Sequence, residues 1–518
     1  MHRTTGERDW NWLRSVIVGG VLLHLVSAVC HVFFGALNPD EGFYAVAARA
    51  VMQGEVPYRD FGYTQMPLLP YVNGALMSLI GFGLFEQRAI NGLWGVLALA
   101  LAGVWLARRT RAWLGLLLVV VFSLSPPWMY FTHLGKTYAF ISFVTMAAAW
   151  VFLERPAGWH RTALLGVLGV IGGGCRLPTV PYFAVLWLAS LREGPEPVLA
   201  RVLGGGAVLA VTGAVALLPF YLAAPEASVF WTLQFHRLSV PNKDWQLAWQ
   251  SYATLAPALW IAVLCAVPAV LFQKDVIRRR ERGVAIAAIT ALTTNLLPKG
   301  VYEEYGVPFL LPLAIIVGAV LHQAALATKP AWPRAQTVLI LLAAFTATPL
   351  FNSHYLQSPP PNLPSWWLPP GVPPYNPDLP GHLWRAKRIT AELVAPGQPL
   401  IGPNIILAVE ANRPVPRKLR MGPFTTTAEF PPVLADRLNL ETFPELEARY
   451  LDPRVPMLAF FENSFLNYSW TMPSFRNPPE RNRARWMEIF RRDFVIVQHD
   501  SDFLLLARRS ALPNSITP

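Results

Sequence analysis

The stretch NPDEGFYAVAARAVMQGEVPYRDFGYTQMPLLP, residues 38–70, carries the strongest indication of fold and function in the chain. It follows an apolar run, 15–36, that is long enough to cross a bilayer. It opens with two adjacent carboxylates, Asp40 and Glu41, continues through a short helical segment, and ends in a loop rich in Gly, Pro and aromatic residues. Acidic side chains are costly at membrane depth and mark functional sites when they persist there. The sequence therefore predicts an active site in the loop that follows the first predicted membrane span.

The composition of the chain indicates an integral membrane protein. Of its 518 residues, 53% are hydrophobic and 14% are charged, and several apolar runs approach the roughly 20 residues that span a bilayer. The formal net charge is +12, but the basic residues fall in short clusters between apolar runs, which is the orientation signal of a polytopic membrane protein. We therefore expect no nucleic-acid partner. The three cysteines show neither metal-ligand spacing nor a disulfide framework.

The alternation of apolar runs and basic clusters predicts about eleven transmembrane helices, with the N-terminus in the cytoplasm. Keeping every basic cluster on one side requires residues 67–85 to lie along the membrane surface as an interfacial helix. A break at GGGCRLP predicts two half-length helices that line a cavity. The predicted spans are 15–36, 89–106, 113–125, 138–153, 162–174, 177–191, 202–223, 255–272, 284–297, 307–326 and 337–350.

Changes of composition divide the chain into three parts. Residues 1–351 are predicted to form a transmembrane catalytic domain, which carries the Asp-Glu pair in an outer loop, 37–88. Residues 352–381 are Pro-rich and predict a stiff, extended linker. Residues 382–518 predict a small extracytoplasmic α/β domain, with strands in PLIGPN, VPMLAFF, DFVIVQH and DFLLLARR and helices over 382–394 and 480–491.

The two carboxylates also have a purely structural interpretation. Asn38 is a preferred N-cap residue, Pro39 suits the first helical position, and Glu41 lies where a capping box places its acid. Capping explains Glu41 better than it explains Asp40. The functional interpretation gains from the residues that crowd the same loop, which are Tyr44, Arg49, Tyr58, Arg59, Asp60 and Tyr63. Anchoring at a membrane surface accounts for the tyrosines, but not for Asp60 with Arg59 and Arg49.

The stretch DEGFYAVAARAVMQGEVPYRDFGYTQMPLLP resembles the first outer loop of polyprenyl-phosphate-sugar-dependent glycosyltransferases of the GT-C fold. That group includes the protein O-mannosyltransferases and the lipid A aminoarabinose transferases. The shared pattern is Asp-Glu with a Tyr soon after, then Gly-x-x-Pro-Tyr-x-Asp and a Pro-Leu-rich helix at the membrane surface. A second stretch, PKGVYEEYGVPFLLPLAIIVG (298–318), resembles the late outer loop of the family. The resemblance implies a GT-C-like, α-helical polytopic fold with an outer C-terminal domain.

The chain departs from the family pattern at two places. Members of the O-mannosyltransferase branch often carry His-Pro-Pro where this sequence reads Gln65-Met66-Pro67. Glu304 replaces a basic residue that is common just before the late-loop tyrosine. The resemblance therefore names neither the branch nor the sugar.

The chemistry that the resemblance implies is an inverting transfer of a sugar from a polyprenyl-phosphate carrier to an acceptor hydroxyl on the outer face. Asp40 is the candidate general base, which takes the proton of the attacking hydroxyl. The leaving phosphate requires fixed positive partners. The predicted substrate-binding residues are Glu41, Tyr44, Arg59, Asp60, Tyr63, Lys136, Arg176, Lys299, Tyr302 and Tyr305. Further outer-side candidates are Arg237 and Lys243, with His133 and His236 as helpers.

Each outer cation also has a structural interpretation as an anchor for lipid headgroups. Arg176 lies at the break between the two half-length helices, and Lys299 lies inside the second family-like stretch, which favours a functional role for both. No cofactor is assigned. A divalent cation would suit the carboxylates of Asp40, Glu41, Asp60, Glu303 and Glu304, but their spacing does not select one.

The expected partners are a polyprenyl-phosphate sugar, the lipid bilayer, and a glycan, lipid or protein acceptor. The sequence lacks a phosphate-binding or dinucleotide-binding glycine motif, which favours a lipid-carried donor over a nucleotide sugar. Two alternatives stay open, a transporter or flippase for lipid-linked glycans and a scaffold for cell-envelope assembly. A transporter should carry ionisable residues at mid-span in paired helices, whereas here they collect in outer loops. The expected location is the inner (plasma) membrane.

Overall fold

The computed structural model describes residues 5–238, 257–272, 274–297, 303–327, 378–427, 430–461 and 480–512. Helices dominate these residues, because a chain that crosses a bilayer must satisfy its backbone hydrogen bonds within each segment. The α-helices are α1 (Thr5–Phe34), α2 (Asp40–Met52), α3 (Leu68–Ile80), α4 (Leu84–Arg109), α5 (Ala112–Ser123), α6 (Pro126–His133), α7 (Tyr138–Glu154), α8 (Trp159–Cys175), α9 (Val180–Ser190), α10 (Val198–Ala223), α11 (Pro225–Val229), α12 (Phe235–Leu238), α13 (Pro257–Phe272), α14 (Arg279–Thr294), α15 (Val307–Ala327), α16 (Leu379–Leu393), α17 (Ile406–Glu410), α18 (Pro432–Arg437), α19 (Phe443–Leu451) and α20 (Glu480–Asp493).

The helices agree with the predicted spans wherever those spans are described. Among the described residues, the helices long and apolar enough to cross a membrane are Leu84–Arg109, Val198–Ala223 and Val307–Leu326. Shorter apolar helices coincide with other predicted spans, namely Val18–Phe34, Ala112–Ser123, Tyr138–Glu154, Leu177–Ser190 and Leu259–Phe272. The predicted span 337–350 lies outside the described residues. The total of about eleven spans therefore stays a prediction.

Two local features of the predicted topology are confirmed as secondary structure. Residues 67–85 contain the helix α3, although its position along a membrane surface stays a prediction. The break after GGG is also present. The helix α8 ends at Cys175, a single 3-10 turn covers Leu177–Thr179, and α9 begins at Val180. Arg176 has an extended backbone conformation at the break (φ −153°, ψ 106°) and precedes the 3-10 turn that contains Pro178.

The chain divides into two compact units. The first unit comprises the described parts of Met1–Ala36, Asn91–Ala216 and Asp244–Asn376. The second comprises those of Leu37–Ile90, Leu217–Lys243 and Pro377–Pro518. Most of the linker predicted over 352–381 lies outside the described residues. The predicted domain boundaries therefore stay a prediction.

Basic segments that are predicted to share one side of the membrane contact one another within the first unit. Arg109 donates a hydrogen bond to Glu281 at 2.5 Å. Arg161 and Arg280 both donate to the same oxygen of Glu193, each at 3.0 Å. These pairs join four separate interhelical segments, which supports their predicted placement on a common side. Which side faces the cytoplasm stays a prediction.

A small sheet lies in the second unit, as predicted for the C-terminal part of the chain. The strands β3 (Met457–Phe460), β4 (Phe494–His499) and β5 (Leu504–Arg508) form an antiparallel sheet in the order β3-β5-β4. A parallel pair of very short strands, β1 (Thr426–Thr427) and β2 (Glu441–Thr442), was not predicted. The predicted helices over 382–394 and 480–491 correspond to α16 and α20.

The strand predicted in PLIGPN, 399–404, is wrong, because this segment forms one isolated bridge between Ile401 and Leu458. Pro403 cannot donate a ladder hydrogen bond. Gly402 has φ +137° and lies against the backbone of Ala459. The segment therefore passes close to β3 without pairing along it.

Candidate active site

The predicted active-site loop begins with a capping box. The helix α2 begins at Asp40. The Asp40 amide donates to Asn38 Oδ1 at 3.1 Å, and the Asn38 amide donates to Glu41 Oε2 at 3.0 Å. Each side chain thereby satisfies a backbone N–H that the helix leaves unpaired. The structural interpretation of Glu41 as a capping residue is confirmed.

Glu41 has a second role, because it forms a buried ion pair with Arg88. The Arg88 Nε donates to Glu41 Oε1 at 2.7 Å, and its Nη2 donates to Oε2 at 2.6 Å. The Arg88 side chain is 1% exposed and the Glu41 side chain is 0% exposed. Two parallel bonds between a planar guanidinium and a carboxylate fix the relative orientation of both groups. The pair therefore joins the start of α2 to the first part of α4.

Asp40 lies next to Glu41 in sequence but in a different environment. It is half-buried, whereas Glu41 is fully buried. The backbone of Asp40 takes part in the cap, while its carboxylate is not one of the two side chains of the capping box. Of the two neighbouring acids, Asp40 is therefore the more exposed.

Close backbone packing holds this end of α2. The residue after Glu41 is Gly42, which lies against the segment leading into α17. A Cβ atom at this position would come within 2.8 Å of Ile405 Cγ1 and 2.9 Å of the Ile406 amide nitrogen. Only glycine permits such an approach. The sequence Asp-Glu-Gly thus combines a half-buried acid, a buried ion pair and a helix contact.

Two of the predicted tyrosines pack together beside α2. The rings of Tyr44 and Tyr63 meet edge to face, with centroids 6.1 Å apart, and Phe43 lies 6.4 Å from Tyr63. Tyr44 and Tyr63 are 4% and 0% exposed. Tyr44 follows Asp40 by four residues, so the two lie on the same side of the helix. Tyr44 and Tyr63 therefore form a packed aromatic pair on that side of α2.

Arg59 and Asp60 pair with each other and shape the loop. Arg59 donates to both carboxylate oxygens of Asp60, at 3.0 and 2.6 Å, and the Val56 amide donates to Asp60 Oδ2 at 2.7 Å. The hydrogen bond from Arg59 is the main cause that lowers the pKa of Asp60. Tyr58, at the tip, has φ +70° and is fully buried, and its hydroxyl donates to the Gln65 carbonyl at 2.6 Å. The contacts of Asp60 are thus those of a loop-organising residue.

The first unit contains a separate cluster of cationic and aromatic side chains. Arg176 is 4% exposed, and its guanidinium lies 4.6 Å from the ring centroids of both Tyr138 and Tyr305. It also donates to the Thr137 hydroxyl at 3.3 Å. Lys136 is 6% exposed, and its ammonium group lies 3.8 Å from the Glu304 carboxylate. The structure therefore brings together three predicted residues, Lys136, Arg176 and Tyr305, in a buried setting that lipid anchoring does not explain.

Several predicted residues lie outside this cluster or outside the described residues. Lys299, Tyr302 and Lys243 lie outside the described residues, and so does the side chain of Glu303. Arg237 is exposed, and His236 contacts the Thr64 carbonyl at 2.6 Å within the second unit.

The carboxylates suggested for a divalent cation do not form a three-ligand group in the described part of the chain. The described group with suitable spacing lies in the C-terminal region and comprises His382, Asp500 and Asp502.

The sequence interpretation missed Arg88, Thr137 and Tyr138. Arg88 lies at the start of an apolar run, where a basic side chain needs a partner, and that requirement could have identified it. Thr137 and Tyr138 directly follow Lys136. Thr137 is the N-cap residue of α7, and Tyr138 is the first residue of that helix. Their role depends on Arg176, which is 39 residues away from Thr137.

Comparison with known proteins supports the resemblance in both sequence and fold. No protein-family model matches the chain. In an alignment of 340 positions that covers 61% of the chain, it is 27% identical to an undecaprenyl phosphate-α-4-amino-4-deoxy-L-arabinose arabinosyl transferase from Pseudomonas aeruginosa (strain UCBPP-PA14). The alignment spans 60% of the length of that relative.

Solved structures extend the similarity over nearly the whole chain. ArnT from Cupriavidus metallidurans bound to undecaprenyl phosphate matches with a TM-score of 0.63 at 14% identity, covering 98% of this chain and 99% of that one. The apo state of the same protein matches with a TM-score of 0.59 at 16% identity, with coverages of 96% and 98%. The predicted resemblance is thus confirmed: the chain has the ArnT-type GT-C fold and is similar in sequence to undecaprenyl-phosphate aminoarabinose transferases.

Proposed function

We propose that the protein is an integral-membrane glycosyltransferase. It transfers a sugar from a polyprenyl-phosphate carrier to an acceptor hydroxyl at the outer face of the inner membrane, with inversion at the anomeric carbon. The similarity to ArnT in fold, and to aminoarabinose transferases in sequence, supports the class of donor. The name of the sequence relatives makes undecaprenyl phosphate-linked 4-amino-4-deoxy-L-arabinose the first donor to test.

The observation that carries this proposal is the contrast between Asp40 and Glu41. Arg88 donates to both carboxylate oxygens of Glu41, which holds Glu41 in place. Asp40 is the residue before Glu41. It is half-buried and lies at the start of a helix whose first turn is capped. Rigid placement of a reactive group on a regular element is what general-base catalysis requires.

In the proposed step, the Asp40 carboxylate accepts the proton of the acceptor hydroxyl while the hydroxyl oxygen attacks the anomeric carbon. The bond between that carbon and the phosphate oxygen breaks, and the electron pair leaves with the lipid phosphate. Attack from the face opposite the phosphate inverts the configuration. The acceptor is a glycan, a lipid or a protein hydroxyl.

The phosphate is assigned to the cation cluster of the first unit. Lys136 and Arg176 supply positive charge, and both are more than nine-tenths buried. The Arg176 guanidinium stacks on Tyr138 and Tyr305, which restricts its rotation. Fixed cations of this kind stabilise the charge that develops on a leaving phosphate. Lys299 and Tyr302 remain proposed members of the same phosphate site, and Glu41, Tyr44, Arg59, Asp60 and Tyr63 remain proposed contacts for the sugar or the acceptor.

Reconstitution tests the proposal against its alternatives. The purified full chain in lipid nanodiscs should convert sugar-labelled undecaprenyl-phosphate aminoarabinose into free undecaprenyl phosphate and a labelled acceptor, with bacterial envelope lipid as the acceptor source. A flippase would move the intact donor across a vesicle bilayer without releasing the carrier phosphate, and a scaffold would do neither. Carrier movement without sugar transfer would overturn the proposal.

A further inference from the structure

Three side chains that can bind a metal meet in the C-terminal part of the second unit. His382 lies in the first turn of α16, and Asp500 and Asp502 lie in the turn that joins β4 to β5. His382 Nδ1 is 2.7 Å from Asp502 Oδ2 and 3.5 Å from Asp500 Oδ1. One donor atom from each residue can be chosen so that all three lie within 4.8 Å of one another. The sequence interpretation singled out none of these residues.

We propose that His382, Asp500 and Asp502 bind a divalent transition metal, with zinc as the best-fitting ion. One imidazole nitrogen and two carboxylate oxygens form a donor set that zinc accepts. At metal–ligand distances near 2.0–2.1 Å, the donors of a tetrahedral site lie about 3.3 Å apart. The two separations from His382 Nδ1 lie on either side of that value. None of these three residues belongs to the proposed catalytic or phosphate site, and the metal proposal does not rest on the proposed function.

A fourth residue supports the assignment independently. Gln498 is 4% exposed, and its Nε2 donates to Asp500 Oδ2 at 2.5 Å and to the His382 carbonyl at 3.1 Å. Its amide group therefore lies against the three-residue cluster. No described residue donates a hydrogen bond to the buried Gln498 Oε1. A buried carbonyl oxygen costs free energy when it accepts nothing, and a bound cation with its water shell would satisfy it.

The turn that carries the two aspartates is held before any ion binds. Asp500 Oδ1 accepts hydrogen bonds from the amides of Asp502 and Phe503, at 3.1 and 3.0 Å. The side chains of His382, Asp500 and Asp502 are 19%, 10% and 7% exposed. Partial exposure at His382 leaves a path for an ion, while burial of the aspartates limits competition from water. Binding requires a lone pair on His382 Nδ1, so a proton on that nitrogen must leave.

A metal here would join two distant parts of the chain. His382 and Asp502 are separated by 120 residues in sequence. Metal ligands that are far apart in sequence couple binding to folding, because the unfolded chain does not assemble the site. Zinc should therefore stabilise the C-terminal region against unfolding. The competing explanation is a metal-free hydrogen-bonded contact between His382 and Asp502.

Metal uptake separates the two explanations. The full-length protein in detergent, without a polyhistidine tag, is stripped with EDTA, titrated with zinc chloride and desalted, and bound zinc is measured by mass spectrometry. We expect one zinc per chain and a higher midpoint of thermal unfolding. Asp502→Asn and His382→Gln should lose both effects. Asp452→Asn is the matched control, because Asp452 pairs with Arg454 in an exposed turn, and it should keep both.

Two results would overturn the proposal. The first is stripped wild-type protein that takes up no zinc. The second is full zinc binding by a folded His382→Gln variant. If that variant fails to fold, zinc X-ray absorption of the wild type decides, since it needs no substitution. We expect one imidazole nitrogen with oxygen neighbours, and a sulfur neighbour or two imidazoles would assign the zinc to another site.

Discussion

Arg88 binds Glu41 through two hydrogen bonds of 2.6 and 2.7 Å, and neither side chain is more than 1% exposed. Because of this ion pair, the adjacent acids Glu41 and Asp40 have different surroundings. Glu41 is occupied by Arg88 and by the helix cap, whereas Asp40 is only half-buried one residue earlier. The two adjacent acids of the motif therefore differ in burial and in their contact with Arg88.

Removing the arginine should destabilise the protein strongly. Arg88→Ala leaves the Glu41 carboxylate buried without its cationic partner, which costs about 3–5 kcal/mol. Chemical denaturation of the full chain in detergent, monitored by tryptophan fluorescence, measures the loss. Arg388→Ala is the matched control, because Arg388 is 56% exposed, and it should change the free energy of unfolding by no more than about 0.5 kcal/mol. If both substitutions changed the free energy of unfolding equally, the Arg88–Glu41 pair would not be a main contributor to stability.

Adding one methyl group beside the motif should also be costly. Gly42→Ala places a Cβ against Ile405 and the Ile406 backbone, which must then shift. Overpacking of this kind costs about 1–3 kcal/mol, and we expect transfer activity to fall with it because α2 carries Asp40. Gly206→Ala is the control, since a Cβ there meets nothing within 4 Å and alanine favours a helix. Wild-type thermal stability in Gly42→Ala would contradict the close approach.

The cation cluster predicts an effect on donor binding. Arg176→Ala removes a buried charge that stacks on two tyrosine rings, so the KM for the polyprenyl-phosphate sugar should rise by roughly 10- to 100-fold. Arg176→Lys should recover only part of this loss, because lysine lacks the planar group that stacks. Initial rates at varied donor concentration, with the acceptor saturating, measure the change. An unchanged KM in Arg176→Ala would remove this residue from the phosphate site.

The Arg59–Asp60 pair predicts how the stability of the folded loop depends on pH. Arg59 lowers the pKa of Asp60 from its ordinary value of 3.8. A carboxyl whose pKa is lower in the folded state stabilises that state above pH 3.8, and the contribution is lost as the pH falls through the folded-state value. Arg59 is exposed, so solvent screens the pair and keeps this contribution to the free energy of unfolding small.

Hydrogen exchange of the loop tests this pair directly. At neutral pH, Asp60→Asn should exchange faster than wild type in the segment that contains Val56, whose amide bonds to Asp60. Wild-type protection should hold down to about pH 4 and then decline. Identical exchange in the two proteins at pH 7 would mean that the carboxylate does not organise the loop.

Much of the fold was predictable because its causes are local. The cap formed by Asn38 and Glu41 follows from four consecutive residues, and the break at Arg176 follows from nearby glycines and Pro178. The helices of the first unit follow from the length of their apolar runs. The strands β3, β4 and β5 follow from short apolar segments bounded by turns.

The candidate site was only partly predictable, because residues that contact each other there are distant in sequence. Arg88 is 47 residues from Glu41, and no local pattern relates them. The stacking of Arg176 on Tyr138 and Tyr305 needs three separate segments of chain. The failure at PLIGPN has a different cause, since an apolar segment resembles a strand whether or not its backbone finds a ladder partner.

Sugar transfer by Asp40→Asn is the most direct test of the central claim. The substitution keeps the shape of the side chain and removes its capacity to accept a proton. With labelled undecaprenyl-phosphate aminoarabinose and envelope lipid in nanodiscs, we expect transfer to fall by at least about 100-fold, with donor binding and thermal stability unchanged. Asp452→Asn should transfer at the wild-type rate. Wild-type transfer by Asp40→Asn would contradict the assignment of Asp40 as the general base.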